Sequence, residues 1–353
     1  MGIPITYFRS SSYNAHRFCP MQFYIEYVLG WRGPSNKKAD IGTIVHKILE
    51  ICAICKYEIQ QGNIEYIDED IGTIETANYD ETYLDDIINK VYNIYTSKLT
   101  HHSWMAADLK GIRNSIWKVL KYRDGMFDPR NRYIVGAEQN FDFLIEEDWA
   151  KYKYEEYDLE GYLGIKGTID LITDIGDNIY EIIDWKNGRR LDWATGKEKD
   201  IYKLYNDPQL RLYHYAAKRM YPNIHTFIIT IIFINDGGAF SVHFDDNDLD
   251  KTQSMIRKRF EFIQKTEKPE IIRNLDPQQG WKCSKLCHAG KTTFNSTSIL
   301  PIIEHRPLQF TAKGKEMTKC EQIRYEIAQK GIKEVTEKYT HPEYNRNIYK
   351  QTN

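Results

Sequence analysis

Residues 161–188 decide the fold, and their sequence is GYLGIKGTIDLITDIGDNIYEIIDWKNG. Two apolar runs in this stretch have the composition of β-strands, and the turn-forming residues 174–178 (DIGDN) between them predict a β-hairpin. Asp170 lies near the end of the first run, whereas Asp184 and Lys186 end the second. The sequence therefore predicts a hairpin that carries two carboxylates and one lysine close together.

The spacing of these charged residues favours a particular chemistry. Strand side chains alternate between faces, so Asp184 and Lys186 point the same way and Asp170 on the neighbouring strand can converge with them. Two carboxylates suit a hard divalent cation, which can polarise a phosphate and activate water. Lys186 adds a positive charge that can orient the water or stabilise the transition state. Asp-x-Lys also occurs by chance on surface hairpins, but here it ends an apolar strand and is followed by Asn187-Gly188.

The elements around the hairpin indicate an α/β protein. Residues 41–60 have the apolar spacing of a helix, and the polar segment 61–132 is interpreted as a helical insertion. Asp207-Pro208 is typical of a helix start. Further strands are predicted at 133–145, 226–234 and 239–244, and further helices at 209–221, 247–265 and 320–330. The chain is predicted to be a single domain over residues 1–353.

Composition narrows the class of protein. The chain has 353 residues, of which 41% are hydrophobic, enough for a sizeable core. It has no apolar run of about 20 residues and no apolar N-terminal signal pattern, so we expect a cytoplasmic protein without membrane association. The formal net charge is −2, yet residues 281–353 carry 13 Lys and Arg against 7 Asp and Glu. That basic segment favours contact with phosphates.

Two further pairs have the i,i+4 spacing that places side chains on one helix face. His46 and Glu50 form the first pair, and a neutral imidazole at that position could complete a metal shell. The alternative is an ordinary histidine on a solvated helix face. Gln209 and Tyr213 form the second pair, for which the alternative is a packed aromatic ring beside an amide.

Four segments in order resemble the RecB-type branch of the PD-(D/E)xK nuclease superfamily. They are GTIVHKILE (42–50), GYLGIKGTID (161–170), IIDWKNG (182–188) and QLRLY (209–213). That branch includes nuclease domains of helicase-nucleases and the CRISPR adaptation nucleases with a four-cysteine cluster. The resemblance spans most of the chain and implies a restriction-endonuclease-like core, a central mixed sheet flanked by helices.

The same resemblance implies roles for individual residues. It implies a site for Mg²⁺ or Mn²⁺ whose ligands are His46, Asp170, Asp184 and the backbone carbonyl of Trp185, with Lys186 as the catalytic lysine. Gln209 and Tyr213 correspond to the Gln-x-x-x-Tyr motif near the DNA, and Glu138 to an acidic position found in some members. Asp184 stands where many relatives have Glu, and either carboxylate can serve.

The cysteines resemble the iron–sulfur staple of this branch, in which segment 281–325 closes onto the N-terminal helix. The implied ligands of a [4Fe-4S] cluster are Cys19, Cys283, Cys287 and Cys320. Cys283 and Cys287 are separated by three residues where two are common, and Cys320 is unusually distant. His288 could therefore replace Cys320, the metal could be Zn²⁺, or the thiols could be inert. Cys52 and Cys55 have helical spacing in an apolar run, which favours core packing.

The resemblance implies a DNA exonuclease that acts on single strands or free ends. The chain has no P-loop, so it would act alone or with a separate helicase or recombinase. One alternative is a structure-specific endonuclease, and another is a non-catalytic DNA-binding subunit. A structural assembly protein is a third, but it would leave His46, Asp170, Asp184 and Lys186 unexplained. The abundance of Ile, Asn, Lys and Tyr suggests an AT-rich genome, such as that of a bacteriophage.

Overall fold

The structure is a computed structural model that describes residues 2–33, 35–76, 81–191, 197–235, 238–291 and 317–344. Its contacts divide the chain into two compact units. We call residues 35–141 and 168–250 the hairpin unit, and residues 1–34, 142–167 and 251–353 the terminal unit. A single domain with an insertion at 61–132 stays a prediction. Within the described residues, no helix is both long and apolar enough to cross a membrane.

The described residues contain ten β-strands and thirteen α-helices, numbered in chain order. The strands are β1 (Tyr7–Phe8), β2 (Glu65–Asp68), β3 (Gly72–Glu75), β4 (Tyr133–Leu144), β5 (Lys151–Tyr154), β6 (Leu159–Tyr162), β7 (Gly164–Asp174), β8 (Ile179–Lys186), β9 (Thr226–Phe233) and β10 (Gly238–Asp245). The helices are α1 (Ser10–Phe18), α2 (Pro20–Phe23), α3 (Lys37–Gln60), α4 (Glu81–Lys98), α5 (Ala106–Leu120), α6 (Ile201–Tyr205), α7 (Pro208–Met220), α8 (Leu249–Gln264), α9 (Ile272–Leu275), α10 (Trp281–Lys285), α11 (His288–Lys291), α12 (Lys319–Lys330) and α13 (Ile332–Tyr339).

A mixed sheet organises the hairpin unit. β8 pairs antiparallel with β7 and parallel with β9, β9 pairs antiparallel with β10, and β4 pairs with β7. The β7–β8 hairpin turns through Gly176, Asp177 and Asn178, whose φ angles of 91°, 52° and 59° are left-handed. Such angles favour Gly, Asp and Asn, which explains why the sequence predicts this turn correctly.

Helices cover both faces of this sheet. On one face, α3, α4 and α5 share a core with Leu171, Ile183 and Trp185 of the hairpin. Full burial of a large apolar side chain contributes about 1.5–3 kcal/mol, so the completely buried Trp185 anchors that face. On the other face α7 contacts β9, and its His214 ring lies 5.6 Å from the Phe227 ring. The predicted α/β fold with a mixed sheet flanked by helices is thus confirmed.

Segment 61–132 is less helical than its sequence suggests. α4 and α5 correspond to the predicted helices, but β2 and β3 form an antiparallel pair between α3 and α4. These strands are short and polar, and Ile67 is 71% exposed. The turn between them is held by Asp68, whose Oδ1 accepts from the peptide N–H groups of Asp70 and Ile71 at 2.9 Å. A turn held by side-chain hydrogen bonds needs no alternation of apolar residues, so the sequence contains no pattern that would predict these two strands.

The terminal unit contains the chain's first helices and its last ones. β1 pairs in parallel with the first residues of β7, and β5 pairs with β6. The first helical segment restarts at Pro20, because Cys19 between α1 and α2 is extended, with φ −153°. α12 contacts α2, and closure of segment 281–325 onto the N-terminal helix stays a prediction. Residues 292–316 of that segment lie outside the described residues.

Candidate active site

The hairpin brings Asp170 and Asp184 together. The β7–β8 register pairs Leu171 with Ile183, so the two aspartates occupy the next opposed position along the strands. Asp184 is fully buried, and Asp170 is 8% exposed. The peptide N–H of Trp185 donates to Asp170 Oδ2 at 3.0 Å. Burial, followed by the nearby Asp184 charge, raises the pKa of Asp170, so this pair of carboxylates needs compensation by a bound proton or by a cation.

Lys186 supplies part of that compensation. Its Nζ lies 2.9 Å from Asp184 Oδ1 and 2.8 Å from Asp184 Oδ2, and its side chain is 36% exposed. Burial alone would lower the pKa of Lys186, but Asp184 and Asp170 reverse that effect and raise it. Lys186 is therefore a charged ammonium at neutral pH, fixed against the carboxylate and partly open to solvent.

His46 and Glu138 complete a cluster with Asp170. His46 Nδ1 lies 3.4 Å from Asp170 Oδ2, and one ligand atom from each of His46, Glu138 and Asp170 lies within 4.8 Å of the others. α3 positions His46, and the side chain of its N-cap residue Asn36 accepts from the Ala39 N–H. The imidazole also meets the Trp185 indole edge-on, with centroids 6.1 Å apart.

Glu138 adopts an unusual backbone conformation inside β4. Its φ is 46°, a left-handed value that is rare for a residue other than glycine and is often found at functional sites. Burial, followed by the charges of Asp170 and Glu50, raises the pKa of Glu138 to about 8. A carboxyl group with this pKa is mostly protonated at neutral pH, and a cation would drive its proton off.

Gln209 and Tyr213 contact Asp184. Gln209 Nε2 donates to Asp184 Oδ1 at 2.9 Å, and the Tyr213 hydroxyl donates to the same oxygen at 3.2 Å. Asp207 caps α7 by accepting from the Gln209 N–H at 3.0 Å, which aligns the first turn of that helix. The pair predicted to lie near DNA therefore orients a carboxylate, and its contact with DNA stays a prediction.

The donor atoms fit a divalent cation. His46, Glu138 and Asp170 supply nitrogen and oxygen ligands of the kind used by Mn²⁺ and, for the oxygens, Mg²⁺, and Asp184 lies on the strand paired with that of Asp170. Oδ2 of Asp184 is buried and lies 2.8 Å from the Lys186 ammonium, so a cation bound there would share this oxygen with Lys186. The described contacts of Trp185 involve its N–H and its ring, and ligation by its carbonyl stays a prediction.

Sequence reasoning missed the polar support behind Glu138. Lys47 Nζ lies 2.9 Å from Glu50 Oε1 and 2.6 Å from Asp68 Oδ2. The Lys47 charge lowers the pKa of Glu138, while that of Glu50 raises it. The i,i+3 spacing of Lys47 and Glu50 was a usable signal, whereas Asp68 reaches them only through the β2–β3 hairpin.

The four cysteines of the terminal unit line one small pocket. Burial raises the pKa of Cys19, of Cys320 and of Cys287, the last to about 12, so without metal these thiols are protonated. Among the described residues, no three cysteine sulfurs lie within 4.8 Å of one another. His288, the predicted substitute for Cys320, lines a different pocket. Cys52 and Cys55 pack in the core of the hairpin unit, as expected.

A mixed α/β sheet with paired carboxylates and a lysine at the end of one hairpin defines a class, that of nucleases with a PD-(D/E)xK-type site. The family model described as the PD-(D/E)XK nuclease superfamily matches residues 10–291. That span is well over half of the chain, and the protein therefore belongs to the PD-(D/E)XK nuclease superfamily.

Similar solved structures are distant. One, from Eubacterium rectale, is described as a "Putative exonuclease"; it is 12% identical, with a TM-score of 0.42, and the match covers 77% of this chain and 86% of that one. Another, named SSO0001, is 14% identical, with a TM-score of 0.26 and coverage of 70% and 91%. No curated protein matches the chain. Neither structural likeness carries an argument about function.

Proposed function

We propose that this protein is a Mg²⁺- or Mn²⁺-dependent deoxyribonuclease of the RecB-like branch, acting as an exonuclease on single-stranded DNA or DNA ends. The observation that carries the proposal is the convergence of Asp170, Asp184 and Lys186 at one end of the hairpin, beside His46. The exonuclease preference and the branch rest on the four sequence segments described above.

The chain's own groups suit hydrolysis of a phosphodiester. The water oxygen bonds to phosphorus, the P–O bond to the leaving oxygen breaks, and the proton released by water balances the one taken up by the leaving group. Lys186, open on one side, can orient the water and stabilise the negative charge that develops on the phosphate. Asp184 is held by Gln209 and Tyr213 and so needs little reorganisation. When bound, a divalent cation supplies the Lewis acidity that polarises the phosphate.

A cleavage assay tests this function. The substrates are end-labelled linear single-stranded DNA, linear duplex DNA and circular single strands, each incubated with and without Mn²⁺. We expect metal-dependent shortening of linear strands and intact circles. Cleavage of circles would contradict the exonuclease proposal and favour the endonuclease alternative. If no substrate is cut in any metal, but DNA binds, the protein is a non-catalytic subunit.

The cellular setting follows from the substrate. A nuclease without a motor can degrade ends that a separate helicase or recombinase exposes, and we propose such a partner. A DNA substrate and six cysteines that form no disulfide suit the cytoplasm, which would be that of the host cell if a phage encodes the protein.

We also propose that Cys19, Cys283, Cys287 and Cys320 hold a [4Fe-4S] cluster. Tetrahedral zinc with Zn–S bonds of about 2.3 Å would place its sulfurs about 3.8 Å apart. No three of these sulfurs meet within 4.8 Å in the described residues, so their arrangement is not that of a single tetrahedral zinc ion. The buried, protonated thiols would become thiolate ligands on binding.

Anaerobic purification checks the cluster. The protein is expected to be brown, with broad visible absorption and about four irons per chain. Cys320→Ser should bleach most of that absorption, whereas Cys52→Ala, a change in the other unit, should leave it intact. A colourless protein with one zinc would replace the cluster by a zinc site, and a metal-free folded protein would leave the thiols as ordinary core residues.

A further inference from the structure

A second cluster of metal-binding side chains lies in the hairpin unit, on α3 and the connection between α4 and α5. Its members are Asp40, His101 and His102, and one ligand atom of each lies within 4.8 Å of the others. Asp40 is in the first turn of α3, six residues before His46. Six residues turn a helix through about 600°, so Asp40 and His46 project from different sides of α3. The cluster shares no residue with the proposed active site.

One distance within the cluster is close to the ligand separation around a small metal ion, and another is shorter by about 0.7 Å. Asp40 Oδ2 lies 2.6 Å from His102 Nε2 and 3.4 Å from His101 Nε2. Ligands in a tetrahedral zinc site, with bonds of about 2.0–2.2 Å, are about 3.3 Å apart. An ion between these groups would therefore require side-chain shifts of only some tenths of an ångström. Ser35 Oγ donates to the same Asp40 oxygen at 2.8 Å and is a further oxygen close to the cluster.

The surroundings hold these groups in place. The side chains of Asp40 and His102 are 8% and 14% exposed, and that of His101 is 42% exposed, so the cluster is buried on one side and open on the other. The Trp104 ring packs edge-on against His102, with centroids 5.7 Å apart. Nearby, Lys37 donates to the Ser103 carbonyl at 2.6 Å and to Asp108 Oδ2 at 2.7 Å. The Lys37 charge is therefore paired with its own carboxylate.

We propose that Asp40, His101 and His102 form a second metal site, for a transition-metal ion of the Zn²⁺ type, separate from the catalytic centre. Two imidazoles and one carboxylate are ligands that zinc takes readily, and hard ions such as Mg²⁺ prefer all-oxygen sites. The ion would fasten the α4–α5 connection to the first turn of α3. Because α3 also carries His46, this fastening would stabilise the helix that supports the active site.

Equilibrium dialysis against Zn²⁺ followed by metal analysis tests the site. His101→Gln and His102→Ala should each bind one zinc fewer per chain than the unaltered protein, or bind it at least tenfold more weakly. The cysteines are the same in all of these proteins, so any zinc that they bind cancels when a variant is compared with the unaltered protein. Asp184→Asn, which alters the active site, should leave this zinc in place. The double variant Asp184→Asn/His102→Ala should lack both this zinc and the metal bound at the active site.

His101→Gln is the variant least expected to misfold, because the His101 side chain is the most exposed of the three in the cluster. This variant should keep its circular dichroism spectrum and its Mn²⁺-dependent cleavage, since it leaves the hairpin untouched. If His101→Gln and His102→Ala both retain wild-type zinc stoichiometry and affinity, the proposal is wrong and the three residues form an ordinary ion-paired cluster. A zinc equivalent lost from the histidine variants alone would establish the site.

Discussion

Replacing Lys186 with alanine is expected to lower the rate of DNA cleavage by about 10²–10³-fold, the usual cost of removing one charge aimed at a transition state. The ammonium lies 2.8–2.9 Å from both oxygens of Asp184 and is the only cation among the described residues that pairs with that carboxylate. Measuring turnover under saturating Mn²⁺ with linear single-stranded DNA checks the effect.

The matched control for this variant is Lys90→Ala, which removes an exposed lysine from α4 in the same unit. It should cut DNA at the wild-type rate. Lys186→Ala should still bind Mn²⁺, because the carboxylates and His46 remain. Equal turnover in Lys186→Ala and wild type, with both proteins folded, would remove Lys186 from the catalytic role. Loss of metal binding in Lys186→Ala would instead assign it to positioning Asp184.

Asp184→Asn is expected to abolish detectable cleavage and also the stabilisation that Mn²⁺ confers. The change is nearly isosteric, but it removes the fully buried carboxylate charge that would hold the cation. A ligand at 100 times its dissociation constant stabilises a folded protein by about 2.7 kcal/mol, so its loss is readily seen as a missing rise in the thermal midpoint. Asp86→Asn, an exposed change on α4, should retain the full rise.

The pH dependence of the Mn²⁺ effect provides a further check on this interpretation. The raised pKa values of Glu138, about 8, and of Asp170 mean that the metal-free site holds protons that the cation must displace. Metal affinity should therefore rise from pH 6 to pH 8, and the thermal shift of the wild type should grow with it. A shift that is unchanged over this range, or that persists in Asp184→Asn, would place the cation elsewhere.

Much of the active site could be predicted because its parts are local. The β7–β8 hairpin is visible in its two apolar runs and in the DIGDN turn, and hairpin pairing then dictates that Asp170 meets Asp184. The i,i+4 pair Gln209 and Tyr213 was recognisable for the same reason. Short-range geometry of this kind depends on neighbouring residues, which the sequence states directly.

Other parts could not be predicted. The left-handed backbone of Glu138 inside a strand has no sequence signature, because the residue is not glycine and the conformation is sustained by its surroundings. The β2–β3 hairpin is polar and short and so lacks a periodic signal. Asp40 and the two histidines are about sixty residues apart in the chain, and nothing in their local sequences connects them.

The sequence by itself determined the long strands of the main sheet, the longer helices and the order of the nuclease-like segments, since these follow from local periodicity, turn chemistry and capping. Only the tertiary structure decided which side chains share a space. It brought His46 and Glu138 to Asp170, turned Gln209 and Tyr213 onto Asp184, and gathered four distant cysteines around one pocket. The physical reason is that burial and packing act between residues far apart in the chain, and their outcome depends on the whole set of contacts.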